Sequence, residues 1–286
     1  MEKISQVITK SLYQSPKSSH KGQNGKLTII GGSKLFHGAS LWALKTASRI
    51  VDMVFYSTVL ENEQLTKKLK SDLFDFICIP RGKIEEYIEQ SDAVLIGPGM
   101  VRGSKEYTGT GESGVETTKL TKSLTAKFPQ KKWIIDAGAL QAIKPKWLLK
   151  LKNVVITPHK KELEKLFNIK VDQEKPDLLK EQVLTLSQRF NATILLKGQT
   201  DLVCSPKRCV INTSGNEGMT KGGTGDVLAG LIAALSCKND LFTATSAGVY
   251  INGRAGDELY KHKGPFYNAS DLCEQIPKTM NHLFGY

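Results

Sequence analysis

The chain has few of the features that mark membrane, secreted or metal-cluster proteins. None of its apolar runs approaches the roughly 18 residues of a membrane-spanning helix, and residues 1–26 are polar, so we expect neither a membrane anchor nor a signal peptide. Its five cysteines are odd in number and lack C-x-x-C spacing, which argues against a disulfide framework or a zinc site. These absences predict a cytoplasmic protein in a reducing compartment.

Acidic residues are few relative to basic ones. The 28 Asp and Glu residues against 40 Lys and Arg leave a formal charge of +12. Basic proteins often bind nucleic acid or anionic membranes. Here the lysines are spread along the chain and form no compact basic run interleaved with aromatic residues, so we expect neither partner. A solvated lysine-rich surface accounts for most of the charge, and it would also attract small polyanions such as nucleotides.

Both standard nucleotide-binding loops are missing. Gly31-Gly32 and Gly97-Pro98-Gly99 each follow a strand pattern, but neither completes G-x-G-x-x-G, and no G-x-x-x-x-G-K-[ST] occurs. Close approach of the backbone to a ligand is the best use that remains for these glycines.

What is present is an alternation of short apolar runs and helical patterns. Strands are predicted at 27–30, 53–56, 76–79, 93–96, 133–135, 154–156 and 193–196, with a hairpin at 202–204 and 210–212. Helices are predicted at 39–50, 83–90, 116–128, 160–167, 176–190, 225–236, 243–259 and 270–283. Strands this apolar are buried on both faces, which indicates an α/β fold with a mostly parallel sheet. We expect one domain over 1–286, with 1–26 as a polar extension within it and 107–115 as a surface loop.

Residues able to bind ligands follow the ends of five predicted strands. They are residues 31–34 with His37, residues 97–99, Asp136, His159, and residues 197–201. Because ligands of such sheets bind beyond the carboxyl ends of the strands, these residues are predicted to line one shared site.

Three of these side chains have open alternatives. His159 either hydrogen-bonds a substrate or caps the helix that follows it. Lys197 either neutralises a nucleotide phosphate or is an exposed loop lysine. Asp136 either holds a magnesium ion through water or fixes a local turn, so the metal ligands stay unassigned.

The most informative segment is Gly222-Gly223-Thr224-Gly225-Asp226, which precedes an apolar, alanine-rich helix. Glycines before a helix let backbone N–H groups converge on an anion, and the helix dipole adds positive charge there. Beside such an anion hole, Asp226 is predicted to be the base that takes a proton from a hydroxyl attacking a phosphoryl group. Alternatively, the glycines serve only a tight turn and Asp226 only stabilises the first helical turn.

Together these residues resemble the ADP/ATP-dependent NAD(P)H-hydrate dehydratases, a branch of the ribokinase-like fold. The resemblance extends from residue 26 to about residue 259, and it implies a three-layer α/β/α sandwich with a mostly parallel central sheet. Its most specific segments are 31–33 leading to 38–39, 97–99, 157–159 with Glu162, 197–198, 215–230 and 247–257. Gly138 and Lys160 depart from it, since the family usually has a second acidic residue and a proline at these positions.

The activity implied by the resemblance is repair of a damaged cofactor. NADHX or NADPHX, hydrated at C6 of the nicotinamide ring, would be phosphorylated on its hydroxyl by ADP or ATP with Mg²⁺. Loss of phosphate would then restore NADH or NADPH. The alternative is a small-molecule kinase of the same fold, acting on hydroxymethylpyrimidine, a thiazole or a sugar.

The resemblance also implies roles for individual residues and partners. Asp226 would be catalytic and would contact the hydrate together with Ala39, Gly99 and His159. The nucleotide would be held by Lys197, Gly198, Gln199, Thr200, Asp201, Gly222, Gly223, Thr224 and Gly225. We expect a homo-oligomer and a separate epimerase, because residues 1–26 leave no room for the epimerase domain that some relatives carry.

Overall fold

One sheet of ten strands runs through the described residues of the computed structural model, which are 1–62, 66, 68, 73–102 and 113–285. The strands are β1 (Glu2–Lys3), β2 (Lys26–Ile30), β3 (Met53–Ser57), β4 (Ile77–Cys78), β5 (Ala93–Ile96), β6 (Lys132–Ile135), β7 (Asn153–Ile156), β8 (Thr193–Leu196), β9 (Asp201–Cys204) and β10 (Cys209–Asn212). Their order in the sheet is β1-β10-β9-β8-β7-β6-β5-β2-β3-β4. All pairs are parallel except β8 with β9 and β9 with β10, so the predicted hairpin within a parallel sheet is confirmed.

Helices cover both faces of this sheet. They are α1 (Val7–Lys10), α2 (His37–Ala47), α3 (Ile84–Gln90), α4 (Gly114–Lys127), α5 (Ala137–Ala142), α6 (Pro145–Leu148), α7 (Lys160–Phe167), α8 (Pro176–Phe190), α9 (Thr224–Ser236), α10 (Leu241–Lys263) and α11 (Ala269–Phe284). Side chains of a strand alternate between faces. Leu27 and Ile29 of β2 therefore join a buried cluster with Leu228 of α9, whereas Ile30 joins a cluster with Leu124 of α4 on the opposite face. The predicted three-layer α/β/α sandwich is confirmed.

Several predicted elements have different ends in the structure. The strand predicted at 76–79 is only Ile77–Cys78, since it lies at the edge of the sheet and pairs with β3 alone. The helix predicted at 243–259 extends over Leu241–Lys263, from a cap in which the Asp240 carboxylate accepts the N–H of Thr243 to a stop at Gly264, whose φ is 57°. Residues 107–112 of the predicted surface loop lie outside the described residues.

The N-terminal extension belongs to the sheet. Its two-residue strand β1 pairs in parallel with β10, and the N–H of Ile4 continues the ladder by donating to the carbonyl of Ile211 at 2.9 Å. The side-chain amide of Gln6 donates to the carbonyl of Leu283 near the end of α11 at 3.1 Å. Residues 2–6 are thus attached both to the sheet and to the end of α11. In the part of the chain described here, no helix combines the length and apolar character needed to cross a membrane.

Cys204 and Cys209 form a disulfide, a single bridge that the argument against a disulfide framework did not anticipate. The two residues face each other in register across the β9–β10 hairpin, with their Cα atoms 4.1 Å apart. Hairpin geometry brings them together, and their spacing in the sequence carries no signal of this. Cys237 and Cys273 take no part in a disulfide and are buried. The disulfide counts against one argument for a reducing compartment, and the location of the protein stays a prediction.

Candidate active site

A cavity of about 650 Å³ lies at the carboxyl edge of the sheet, where the sequence predicts the site. Its walls come from the turn after β8, the loop between β10 and α9, and the facing sides of α9 and α10. Of the residues predicted to hold the nucleotide, six line it, namely Lys197, Gly198, Gln199, Asp201, Thr224 and Gly225. Thr200, Gly222 and Gly223 are not part of its lining. The cavity therefore gathers two of the predicted segments, the one after β8 and the start of α9.

The glycines at the start of α9 have different physical roles. Gly223 is the residue before the helix and has a φ of 97°, and a Cβ there would lie 2.5 Å from the Trp42 ring. Only glycine fits both conditions. Gly225, by contrast, faces open space, and the nearest group to a Cβ there would be the Nζ of Lys197 at 3.8 Å. A small anion at this helix start would thus meet backbone N–H groups and a lysine together.

Thr224 fixes the loop that leads into α9. Its hydroxyl donates to the carbonyls of Met219 at 2.6 Å and Lys221 at 2.9 Å. The hydroxyl is therefore used within the protein, and the part of Thr224 left to a ligand is its backbone.

Lys197 and Asp136 form an ion pair beneath the anion hole. The lysine Nζ lies 3.0 Å from Oδ1 of Asp136, and the two side chains are 23% and 4% exposed. Burial alone would lower the lysine pKa, but the charges of Asp136, Glu162 and Asp226 outweigh it, so that the pKa is raised and Lys197 stays cationic. Lys197 is thus a charged, largely buried lysine rather than an exposed loop residue, and its binding of phosphate stays a prediction.

Asp226 lies in the first turn of α9 and is partly buried. Burial, followed by the negative charge of Asp136, raises its pKa to about 7, although Lys197 and Arg102 act in the opposite direction. A carboxylate with a pKa near neutrality is a far better proton acceptor than an ordinary aspartate. The environment of Asp226 therefore suits a general base.

Ala39 and Gly99 meet on the other side of α9. Gly99 has a φ of 72°, and a Cβ there would lie 2.1 Å from the carbonyl oxygen of Phe36 and 3.3 Å from Cβ of Ala39. Helix α2, which carries Ala39, packs closely along α9, since a Cβ on Gly230 would lie 2.4 Å from the carbonyl of Ala43. Both helices begin at the carboxyl edge of the sheet, so Ala39 and Asp226 lie at the same edge. Ala39, Asp226 and Gly99 are not part of the lining of the cavity of about 650 Å³ described above.

His159 caps helix α7, as one of its two predicted roles requires. Its Nδ1 accepts the N–H of Glu162 at 3.3 Å, and its own N–H donates to the Glu162 carboxylate at 3.0 Å. The ring remains 53% exposed, and an isolated bridge to Lys197 connects the backbones of the two residues. A contact between His159 and the hydrate remains a prediction.

The family model for NAD(P)H-hydrate dehydratase matches residues 27–278. The chain belongs to this family. It is 34% identical over 279 residues to the bifunctional NAD(P)H-hydrate repair enzyme Nnr of Methanocaldococcus jannaschii, covering 95% of this chain and 51% of that protein. It is 32% identical over 292 residues to the ADP-dependent (S)-NAD(P)H-hydrate dehydratase of Nitrosopumilus maritimus, covering 97% of this chain and 96% of that protein. The chain thus spans about half the length of its bifunctional relatives and nearly all of the dehydratase.

Solved structures agree with membership of the dehydratase family at the level of the fold. A ribokinase-like superfamily protein of Enterococcus faecalis superposes with a TM-score of 0.83 at 23% identity, covering 99% of this chain and 96% of the other. The ADP/ATP-dependent NAD(P)H-hydrate dehydratase of Bacillus subtilis, co-crystallised with ATP and Mg²⁺, superposes with a TM-score of 0.81 at 22% identity, covering 99% and 98%. The predicted ribokinase-like fold is confirmed.

Asp201 lines the cavity, but its carboxylate is hydrogen-bonded to other groups of the protein. The carboxylate accepts the N–H of Gly198 at 3.1 Å and the side-chain amide of Asn212 at 3.0 Å. Burial raises the Asp201 pKa despite these two hydrogen bonds. Asp201 therefore shapes the turn after Lys197, and Asn212, which the sequence did not single out, holds it in place.

Two further residues outside the predictions support the loop that carries the Asn216-Glu217-Gly218-Met219 segment. The Tyr267 hydroxyl donates to Oδ1 of Asn216 at 2.7 Å, and its ring lies so close to Gly218 that a Cβ there would be 2.5 Å away. Asp257 accepts the side-chain amide of Asn216 at 3.2 Å and the N–H of Gly215. Asp257 ends the segment 247–257 on which the resemblance partly rests, but no role was predicted for it or for Tyr267, because both lie far along the sequence from this loop.

Proposed function

We propose that this protein is an ADP- or ATP-dependent (S)-NAD(P)H-hydrate dehydratase that returns NADHX or NADPHX to NADH or NADPH. The observation that carries the proposal is the position of Asp226, a carboxylate with a raised pKa in the first turn of α9, beside an anion hole and Lys197. The dehydratases of N. maritimus and Cenarchaeum symbiosum, each 32% identical to this chain, support the same activity.

In this proposal the nucleotide and the hydrate bind on opposite sides of α9. On one side, the backbone at Gly225 and the Lys197 ammonium would bind the terminal phosphates of the nucleotide. On the other, Ala39 and Gly99 would lie beside the hydrated nicotinamide ring, as the family resemblance implies. Asp226, in the first turn of α9, would accept the proton of the ring hydroxyl as the hydroxyl oxygen attacks the terminal phosphorus. The bond from that phosphorus to the bridging oxygen breaks, and AMP (from ADP) or ADP (from ATP) leaves with the bonding electrons.

The elimination that follows needs little from the protein. The C–O bond to the phosphorylated carbon breaks as the ring-nitrogen lone pair moves toward that carbon, and phosphate leaves with the bonding electrons. Loss of a proton from the neighbouring carbon then forms the double bond of the dihydronicotinamide. Lys197, held cationic by Asp136, would stabilise the charge of the departing phosphate.

Magnesium is expected to arrive with the nucleotide. Within the described residues, no three His, Cys, Asp or Glu side chains converge as a metal site. Mg²⁺ in phosphoryl-transfer sites is commonly held by substrate phosphates, water and one or two carboxylates, so the absence of a protein cage in that part of the chain fits a nucleotide-borne ion. When bound, the ion would neutralise phosphate charge, and we assign it no protein ligand.

A dehydratase that acts on the S form alone leaves the R form of the hydrate unrepaired. Repair of the R form therefore requires an epimerase that converts it to the S form. The Nnr relatives are named bifunctional repair enzymes, and this chain matches about half of each. We therefore propose that an epimerase supplies the dehydratase with the S form. That the dehydratase works as a homo-oligomer is a second proposal, independent of this match.

The test is turnover of purified NADHX and NADPHX with ADP or ATP and Mg²⁺. We expect the absorbance of reduced nicotinamide to return together with release of inorganic phosphate, and we expect none of this in nucleotide-free, EDTA-treated enzyme. A small-molecule kinase would instead stop at a phosphorylated product without phosphate release. Full repair without nucleotide, or no repair with either nucleotide, would contradict the proposal.

A further inference from the structure

Arg102 lies at the end of the loop that follows β5, and this loop is held on two sides. On one side, the N–H of Gly32 donates to the carbonyl of Pro98 at 2.8 Å. On the other, a Cβ on Gly138 would lie 2.3 Å from the carbonyl oxygen of Met100, so the loop packs closely against the start of α5. Met100 is buried, whereas Arg102 is exposed. The loop thus holds an exposed arginine at the carboxyl edge of the sheet.

Arg102 is close enough to Asp226 for its charge to lower the pKa of that carboxyl. Lys197 acts on Asp226 in the same direction, but the two cations belong to different parts of the site. Lys197 lines the cavity proposed to bind the nucleotide, and Arg102 does not. Arg102 instead follows, three residues later, Gly99, which the resemblance places beside the hydrate. Asp226 therefore has one cation near it from the nucleotide cavity and another from the loop predicted to contact the hydrate.

No neighbouring carboxylate of the described residues neutralises the charge of Arg102. Lys197 forms an ion pair with Asp136, whereas Arg102 takes part in no ion pair or side-chain hydrogen bond within the described part of the chain. An arginine presents its N–H donors in a rigid fork, and two of them match two oxygens of a phosphoryl group. The guanidinium is therefore available to an anion that reaches Asp226.

The transferred phosphoryl group is the anion that must come to this point. During phosphoryl transfer, negative charge spreads over the three equatorial oxygens of the phosphorus. Lys197 presents a single ammonium, and in the proposed arrangement it already faces the phosphates of the nucleotide. The hydroxyl that gives its proton to Asp226 brings its oxygen to the same phosphorus, so a cation near Asp226 is also near the charge of the transition state.

We propose that Arg102 is a further catalytic residue, which binds the phosphoryl group during its transfer from the nucleotide to the hydrate. The bond between the terminal phosphorus and the bridging oxygen breaks, a bond between that phosphorus and the hydroxyl oxygen forms, and the proton goes to Asp226. Arg102 takes part in neither bond and stabilises the charge on the phosphoryl oxygens. The proposal rests on the proposed function, to which it adds a residue outside both the start of α9 and the nucleotide cavity.

The experiment compares the wild type with Arg102→Gln and Arg102→Lys in NADHX repair with ADP and Mg²⁺. Removing one preorganised donor of this kind costs about 10²–10³-fold in kcat, and we expect that loss in Arg102→Gln, with little change in either KM. In a single turnover, AMP formation should slow by the same factor as the return of reduced nicotinamide, because transfer precedes elimination. Arg102→Lys keeps the charge but not the fork, so it should recover only part of kcat.

The pH profile separates a catalytic cation from a residue with only a structural role. Because Arg102 lowers the pKa of Asp226, the acid side of kcat/KM should move to higher pH in Arg102→Gln. Arg102→Lys should return it to the wild-type position. Arg189→Gln is the matched control, since it removes an exposed arginine in the last turn of α8, at the opposite edge of the sheet. This variant should keep the wild-type kcat and pH profile.

Equal kcat for the wild type and Arg102→Gln would overturn the proposal, and so would a loss that appears only in KM. A lower Tm with an unchanged pH profile would assign Arg102 to folding alone and would also overturn it. Each of these results leaves the proposed dehydratase function intact, because the wild type still repairs NADHX with nucleotide. No repair by the wild type with either nucleotide would instead reject both ideas, so the two failures are distinguishable.

Discussion

Replacing Asp226 by asparagine should reduce activity and raise stability together. The amide keeps the size of the side chain and can still hydrogen-bond a hydroxyl, but it cannot accept a proton. A positioned base is worth about 10²–10⁴-fold in rate, and we expect kcat for hydrate repair to fall by that amount. Nucleotide affinity should change little or improve, because one negative charge is removed beside the anion hole.

The gain in stability follows from the raised pKa of Asp226. The carboxyl titrates near 3.8 in the unfolded chain and at about 7 in the folded protein, so between these values the folded state holds one proton more. The free energy of unfolding of the wild type therefore decreases by about 1.4 kcal/mol for each pH unit in that window. Asparagine does not titrate and escapes this loss. Allowing for partial exposure, the variant should gain about 2 kcal/mol on the wild type between pH 5 and 7.5.

Thermal unfolding of both proteins across this pH range measures the effect. For a chain of this size, about 2 kcal/mol corresponds to a relative shift in Tm of roughly 3 °C. In parallel, kcat/KM of the wild type should fall on the acid side with an apparent pKa near 7. Parallel Tm curves for the two proteins, or a variant that keeps more than about a tenth of wild-type kcat, would show that Asp226 is an ordinary helix-start residue and not the base.

Three other substitutions separate the remaining roles. Lys197→Met should raise the nucleotide KM by about tenfold or more with little change in the hydrate KM, since it removes a charge-assisted phosphate contact, and steady-state kinetics with each substrate varied would detect the reverse pattern. His159→Ala should lower stability by about 1 kcal/mol through loss of the α7 cap, and it should also raise the hydrate KM. In His159→Asn, which keeps a good cap residue, stability should return to the wild-type value while the hydrate KM stays high. If the hydrate KM also returns to the wild-type value, His159 acts only as a helix cap. Tyr267→Phe leaves Oδ1 of Asn216 with one donor fewer and should raise the nucleotide KM several-fold at nearly unchanged kcat, and an unchanged KM would mean that the loop holds its shape without this bond.

The sequence pattern was sufficient to predict those features that depend on residues close together in the sequence. Apolar runs placed most of the strands within a residue or two, and the rule that ligands gather at the carboxyl edge correctly brought Lys197 next to Asp136 and His159. The glycine-rich start of α9 could also be predicted from the sequence, because the positive φ of Gly223 is a local property of that residue.

The rest depends on contacts between distant segments. The pairing of β1 with β10, the disulfide of the hairpin and the support that Tyr267 gives to Asn216 leave no mark on the spacing of nearby residues. Gly138, a departure from the usual family pattern, also has a tertiary explanation. A Cβ there would lie 2.3 Å from the carbonyl oxygen of Met100, so the close approach of that loop requires glycine.

Every residue lining the cavity proposed to bind the nucleotide lies between Lys197 and Gly253, so the order in which the chain is synthesised matters for this site. As a ribosome delivers the protein from its N-terminus, strands β2 to β7 emerge and can pair well before any wall of the cavity exists. Strand β1, made first, must wait for β10 before it finds its place at the sheet edge. A nascent chain stalled before β8 would therefore carry most of its strands and none of the residues that line the cavity, and a ligand of the complete cavity could act on folding only after residue 253 has left the exit tunnel.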